Sequence, residues 1–297
     1  MVTTRFTMDD VRSTYKGRDA WWTVLLVDPL AGRLVKITAN RTSLSPNGLS
    51  SGALVLGLGA AWCFWEADWR WLVAGAVLYH LSFVLDCMDG KVARLKGTGT
   101  VFGSWLDYVF DRVRVLICAV ALTAGQFEAT GRPIYLGLGI GVVFLDMLRY
   151  LDALKVAAAR REMRARLREA RGPMADERLI QQVLPIHPDE ADQDMHQPAP
   201  SAPVVDLHQG FRTRFPWYLR IRDWLAQRRV RAHLVSGIEF QMAVFIIGPL
   251  CDAIIPVTVT AGLLMLVFEI AIIYKLWLST RDFALAMAEA EAARVAA

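Results

Sequence analysis

Three observations predict an all-α integral membrane protein with six transmembrane helices. The chain has 297 residues, of which 55% are hydrophobic and 21% charged, and its mean hydropathy is +0.33. Soluble domains rarely carry that balance. The apolar residues are gathered into runs long enough to cross a bilayer, separated by short polar connections. Lysine and arginine crowd alternate connections, as expected of a chain that crosses a membrane repeatedly. The formal net charge of +4 is modest, so the placement of the basic residues says more than their total.

The first forty residues are polar, aromatic and basic, without the early apolar core of a signal peptide. Residues 1–45 read as an amphipathic arm, with Trp21, Trp22, Leu25, Leu26, Val27, Leu30 and Leu34 interleaved with Arg18, Asp19, Asp28, Arg33 and Lys36. Such a helix either lies in the membrane interface or packs on the bundle. Ser45-Pro46-Asn47 is a helix start. The first span follows over about Asn47–Trp65 and the second over about Trp69–Leu85. The third begins near Val101 and continues through Leu122. The fourth covers about Ile134–Ala157 and contains Gly137 and Gly141 in a GxxxG arrangement, a candidate close-packing face.

Residues 158–234 differ in character and form a cytoplasmic helical insertion between helices 4 and 5. Arg160 to Arg171 is a basic helical extension of the fourth span. Residues 185–210, rich in Pro, Asp, Gln and His, read as a linker. Phe211 to His233 is aromatic and basic, which suits anionic lipid headgroups better than nucleic acid beside a membrane segment. The fifth span covers about Val235–Ile255 and the sixth about Val257–Leu278. The tail Arg281–Ala297 reads as a short helix rich in alanine and glutamate. Cys63, Cys87, Cys118 and Cys251 form neither a CxxC pair nor a disulfide framework and read as packing residues.

Basic residues mark the arm, the Lys91–Lys96 turn, the insertion and the tail, whereas the other loops carry only Arg70 and Arg132. Both termini therefore belong in the cytoplasm, in a multi-pass protein of the cell membrane. Its domain order is an arm (1–45), four spans (46–157), an insertion (158–234), two spans (235–280) and a tail (281–297).

At the cytoplasmic ends of spans two and three stand four carboxylates, Asp86, Asp89, Asp107 and Asp111, spaced by three, eighteen and four residues. Asp86 and Asp89 share one helix face, and Gly103, Asp107 and Asp111 share another. Carboxylates in membrane segments are costly and usually functional. Gathered oxygen ligands suit hard cations such as Mg²⁺, Mn²⁺ or Ca²⁺, and carboxylate-held cations serve phosphoryl transfer. One carboxylate could accept a proton from an attacking hydroxyl. Gly90 would let a ligand approach the backbone, and Arg94 could pair with a phosphate.

Asp86, Asp89, Gly90, Ala93, Arg94, Gly103, Asp107 and Asp111 stand in the pattern Asp-x2-Asp-Gly-x2-Ala-Arg-x8-Gly-x3-Asp-x3-Asp. This resembles the signature of the CDP-alcohol phosphotransferase family at every specified position. The resemblance implies a six-helix membrane enzyme, usually a homodimer. It would move a phosphoalcohol group from a CDP-alcohol to a second alcohol and release CMP. It further implies two divalent cations (Mg²⁺ or Mn²⁺), with Asp86, Asp89 and Asp107 as ligands. Asp111 would be a ligand of the second metal, the catalytic base for the acceptor hydroxyl, or both. Gly90, Ala93 and Arg94 would receive the CDP group. Gly103 stands where a side chain would obstruct the nucleotide or the opposing helix.

The acceptor site departs from the family pattern. Members that use phosphorylated polyols place basic residues at the start of span five, where this chain has Ser236-Gly237-Ile238-Glu239-Phe240-Gln241. Arg149, Lys155 and Arg231 could contact a phosphate, although Arg149 also stands three residues from Asp146, in reach of an ion pair. Glu239 and Gln241 suit a neutral polyol. The favoured donor is CDP-diacylglycerol, with membrane lipids and an acceptor alcohol as the other partners. A polar CDP-alcohol with a lipid acceptor, a cation transporter and a catalytically silent scaffold are the alternatives.

Overall fold

The structure is a computed structural model that describes residues 5–171, 224–225, 227–231 and 235–296. The expected linker 185–210 and most of the Phe211 to His233 stretch lie outside the described residues. The rest is helical: α1 (Met8–Ser13), α2 (Asp28–Arg41), α3 (Pro46–Trp65), α4 (Trp69–Lys96), α5 (Val101–Thr130), α6 (Ile134–Arg171), α7 (Gly237–Leu250) and α8 (Ile254–Ala296). Four of them, α3, α4, α6 and α8, are long and apolar enough to cross a membrane. The six-span expectation also needs α5 and α7. Helix α5 has 30 residues but carries Asp107, Asp111, Arg112 and Arg114 in its first half. Helix α7 is α-helical at both ends and π-helical over Ala243–Ile247. It spans on the order of 21 Å, short of the bilayer's hydrocarbon core.

Local sequence explains most boundaries. The Ser45 side chain accepts from the Gly48 amide at 3.1 Å and starts α3. Asp68 accepts from Arg70 N at 2.9 Å, and Thr100 from Gly103 N at 3.0 Å, capping α4 and α5. Helices α4 and α5 end at Gly97 and Gly131, both in the left-handed conformation that glycine adopts without strain. Helix α4 therefore runs through the whole Asp86–Arg94 stretch, and the turn begins only at Gly97.

Two compact units divide the chain: residues 1–147 with 229–266, and residues 148–228 with 267–297. In the first, α3 packs against α4 and α5 at glycine crossings. A Cβ on Gly75 would meet the Phe64 ring at 2.6 Å, and one on Gly125 would meet the Trp65 carbonyl oxygen at 2.4 Å. Phe64 stacks on Phe245 of α7 and Tyr79 packs on it at a tilt, with ring centroids 6.2 and 4.7 Å away. Outward-facing Val55, Leu58, Val77, Leu81, Leu116 and Val120 are exposed, as lipid-facing residues would be. Trp62, Trp65, Trp69 and Trp71 are exposed around the α3–α4 connection, the position of an interfacial aromatic belt.

The amphipathic arm packs on this unit. Val27, Ala31 and Val35 are buried and α2 lies against α4, while Leu25, Leu26, Leu30 and Ile37 remain exposed. Asp28 forms a buried ion pair with Lys91 (3.1 Å) and a second with Arg229 (3.2 Å). The Tyr15 ring lies beneath both cations. A single parallel bridge joins Asp19 to Val230. In the second unit, Leu167 and Ala286 are buried with Phe283 and Met287 packed on them.

Among the described residues, a Cβ on Gly137 or Gly141 would meet nothing within 4 Å, and the tight contact on this helix is Gly139 against Thr123. The expected tail helix is the continuation of α8. Span five is narrower than 235–255, because the chain leaves α7 at Leu250 and turns through Asp252 at φ 50.

Candidate active site and metal centre

Asp86 and Asp89 lie on α4, one turn apart, and Asp107 lies on α5. Each offers a carboxylate oxygen, and the three oxygens lie within 4.8 Å of one another. The site stands at the end of the α3–α4 hairpin away from the tryptophans, about 24 Å along α4 from them at 1.5 Å per residue. Ser50 of α3 donates its hydroxyl to Asp89 Oδ2. Asp89 is buried, Asp86 and Asp107 are half-buried, and among the described residues Asp107 Oδ1 has no hydrogen-bond partner. Clustered carboxylates with an oxygen left unpaired form a donor set suited to a hard divalent cation.

Asp111 is placed differently. Its carboxylate is ion-paired by Arg114, with Arg112 3.9 Å away. Arg114 also reaches Asp86 at 3.4 Å and Ser82 Oγ at 3.2 Å. Arg112 ion-pairs with Asp146 of α6, whose other oxygen accepts from Gln241 Nε2 at 2.7 Å. Gln241 Oε1 in turn accepts from Tyr79 OH at 3.2 Å. A buried polar chain thus links α4, α5, α6 and α7. Arg112, Arg114 and Ser50 escaped sequence reasoning. The signal for Arg114 was its spacing, three residues after Asp111 and seven after Asp107 on the same face of α5.

The residues expected to receive CDP share one face of α4. A Cβ on Gly90 would lie 3.4 Å from the Arg94 guanidinium, so the absent side chain leaves that group room. Arg94 Nε donates to the Thr14 carbonyl at 2.9 Å, which ties it to the arm. Ala93 sits under the α4–α5 turn, its carbonyl accepting from Thr98 N at 3.0 Å. Gly103 faces the opposing helix: a Cβ there would meet Asn47 Oδ1 at 2.7 Å.

The acceptor candidates are dispersed in role. Glu239 closes a capping box at the start of α7 and accepts from the amides of Ser236 (3.0 Å) and Trp21 (3.2 Å). Gln241 belongs to the buried chain. Arg149 does form an ion pair, but with Glu269 at 3.3 Å and not with Asp146, which Arg112 has taken. Lys155 is exposed in the second unit. Arg231 donates its amide to the Asp19 carbonyl at 2.9 Å.

An integral membrane protein with a carboxylate centre at one end of a helical bundle is the class that fold and site define. Residues 43–170 match the sequence model of CDP-alcohol phosphatidyltransferase, and the family resemblance read from the signature is borne out. Among curated proteins, the chain is 34% identical over 91 residues to the phosphatidylinositol phosphate synthase of Corynebacterium glutamicum, covering 30% of this chain and 37% of that protein. It is 29% identical over 99 residues to the archaetidylinositol phosphate synthase of Methanothermobacter thermautotrophicus, covering 33% and 49%. It is 32% identical over 92 residues to the phosphatidylinositol phosphate synthase of Mycobacterium tuberculosis, covering 30% and 42%. The matched segments span less than half the length of each of these relatives.

Proposed function

We propose that this chain is a metal-dependent membrane transferase of phospholipid synthesis. It moves a phosphoalcohol group, with CDP-diacylglycerol as the favoured donor, to an acceptor alcohol and releases CMP. The observation that carries the reading is the convergence of Asp86, Asp89 and Asp107 inside the segment that matches the family. These three would hold the divalent cation, Mg²⁺ or Mn²⁺. When bound, it would neutralise charge developing on the transferring phosphoryl group. Arg94 would meet the donor's phosphates over Gly90, where the backbone is open. Asp111 would take the proton of the attacking hydroxyl, held in orientation by Arg114. Six crossings with cytoplasmic termini would put this site where soluble nucleotide is available, and two copies would form the working unit.

The relatives are named for making inositol phosphate lipids, so a phosphorylated inositol is the first acceptor to test. Arg149, Glu239 and Gln241 have polar atoms engaged by the protein itself, which favours a structural part for them. The test is CMP release by purified protein in lipid with Mg²⁺ or Mn²⁺, against a panel of CDP-alcohols and acceptors, followed by identification of the product headgroup. Release of CMP only when donor, acceptor and metal are all present supports the reading; no CMP from any donor overturns it.

A further inference from the structure

We propose that Arg114 is a built-in cation of this site, so that the carboxylates bind one divalent metal ion rather than two. The inference rests on the metal-dependent reading above and deepens it. Four aspartates stand in the signature, yet the oxygens that converge within 4.8 Å come from Asp86, Asp89 and Asp107 alone. Asp111 is withheld because the Arg114 guanidinium ion-pairs with it while also reaching Asp86. The guanidinium thus bridges the fourth carboxylate and the first, the place a second cation would need.

Arg114 is not a surface arginine that has folded inward. Its side chain is 3% exposed, and its stem passes over Gly57 of α3, where a Cβ would lie 2.7 Å from Cγ and 2.8 Å from Cδ. Ser82 of α4 donates to the Ala53 carbonyl at 2.6 Å, leaving its lone pairs to accept from Arg114 Nη1 at 3.2 Å. The Tyr79 ring faces the guanidinium at 5.9 Å. Three helices therefore build its socket. Arginine does not deprotonate in proteins, so the positive charge is permanent, and a second dication beside it would meet a like charge in a poorly screened setting. Arg112, paired with Asp146 and 3.9 Å from Asp111, adds to the positive charge on that side. Asp111 is left as the proton acceptor of the proposed reaction and not as a metal ligand.

Titration of metal-free protein with Mn²⁺, followed by calorimetry and electron paramagnetic resonance, tests this. The unsubstituted protein should bind one Mn²⁺ per chain, with the six-line spectrum of an isolated ion. Arg114→Lys should also bind one. Arg114→Gln should gain a second ion, with the broadened spectrum of a coupled pair. Asp107→Asn should lose at least about tenfold in affinity, whereas Asp111→Asn should stay within about twofold of the parent. Two coupled ions in the unsubstituted protein would overturn the proposal while leaving the metal-dependent reading intact; no bound Mn²⁺ would overturn that reading itself. Should Arg114→Gln lose its helical circular dichroism, the count in the unsubstituted protein and in Arg114→Lys decides alone.

Discussion

Replacing Asp28 by asparagine would remove one charge from the contact that binds the amino-terminal arm to the helix carrying the site. Asp28 and Lys91 each keep about a sixteenth of their side chain exposed, at 6%, whereas Arg229 keeps 34%. On loss of the carboxylate, Arg229 can turn to solvent and Lys91 cannot. Among the described residues, Lys91 would retain the Cys87 carbonyl at 3.0 Å, the Tyr15 ring 5.5 Å from its ammonium and, at position 28, a neutral amide oxygen in place of a charge. Breaking a buried pair from one side typically costs 3–5 kcal/mol, and the partners left to Lys91 put the expected loss near the low end, at about 3 kcal/mol. Replacing both members with apolar residues, Asp28→Leu with Lys91→Met, should recover most of that, to within about 1 kcal/mol of the parent. Equilibrium unfolding in mixed micelles, read by tryptophan fluorescence, measures both. A loss below about 1 kcal/mol in Asp28→Asn, or a double variant no more stable than the single one, would refute the buried-charge argument.

Other outcomes follow from the same geometry. Asp107→Asn should weaken metal binding and abolish CMP release, while Asp111→Asn should chiefly lower turnover, as separate Mn²⁺ titrations and kcat measurements will show. Chelation should stop CMP release, and Mg²⁺ or Mn²⁺ should restore it. Helical circular dichroism should not change, because the helices are held by the Phe64, Tyr79 and Phe245 core and by glycine crossings rather than by the cation. Gly125→Ala would drive a methyl group to 2.4 Å from the Trp65 carbonyl oxygen; a loss of about 1–3 kcal/mol is expected in thermal or detergent unfolding. Gln241→Leu leaves Tyr79 OH and Asp146 each short of a hydrogen bond. It should lower stability by about 1–3 kcal/mol, part of it recovered by adding Tyr79→Phe, without a selective rise in acceptor KM.

Much of this arrangement is local and therefore legible in sequence. Ser45, Asp68 and Thr100 cap the helices they precede, because a short polar side chain can satisfy an amide two or three residues ahead without any tertiary partner. The three-residue step from Asp86 to Asp89 and the four-residue step from Gly103 to Asp107 place each pair on one face by helical period alone. Ion-pair partners were a different matter. Arg149 stands three residues from Asp146, yet its partner is Glu269, 120 positions away, and Asp146 pairs with Arg112, 34 positions away. Which of several feasible partners an arginine takes depends on how each helix is rotated about its axis, and spacing within one helix does not specify that. Glu239 and Gln241 show the same dependence. Their polarity suggested a ligand, and in the folded chain Trp21, Ser236, Tyr79 and Asp146 engage them.

Sequence by itself determined that this chain is helical, that its apolar runs suit a membrane and that the proposed chemistry is to be sought between Asp86 and Asp111. Each of those follows from composition, period and a fixed motif. Only the tertiary structure decided how the four aspartates divide. Three face one another across α4 and α5, and the fourth faces Arg114, whose stem has room because α3 carries glycine at position 57. The physical reason is that a long side chain reaches whatever volume its neighbours leave open, and that volume exists only once three helices have packed.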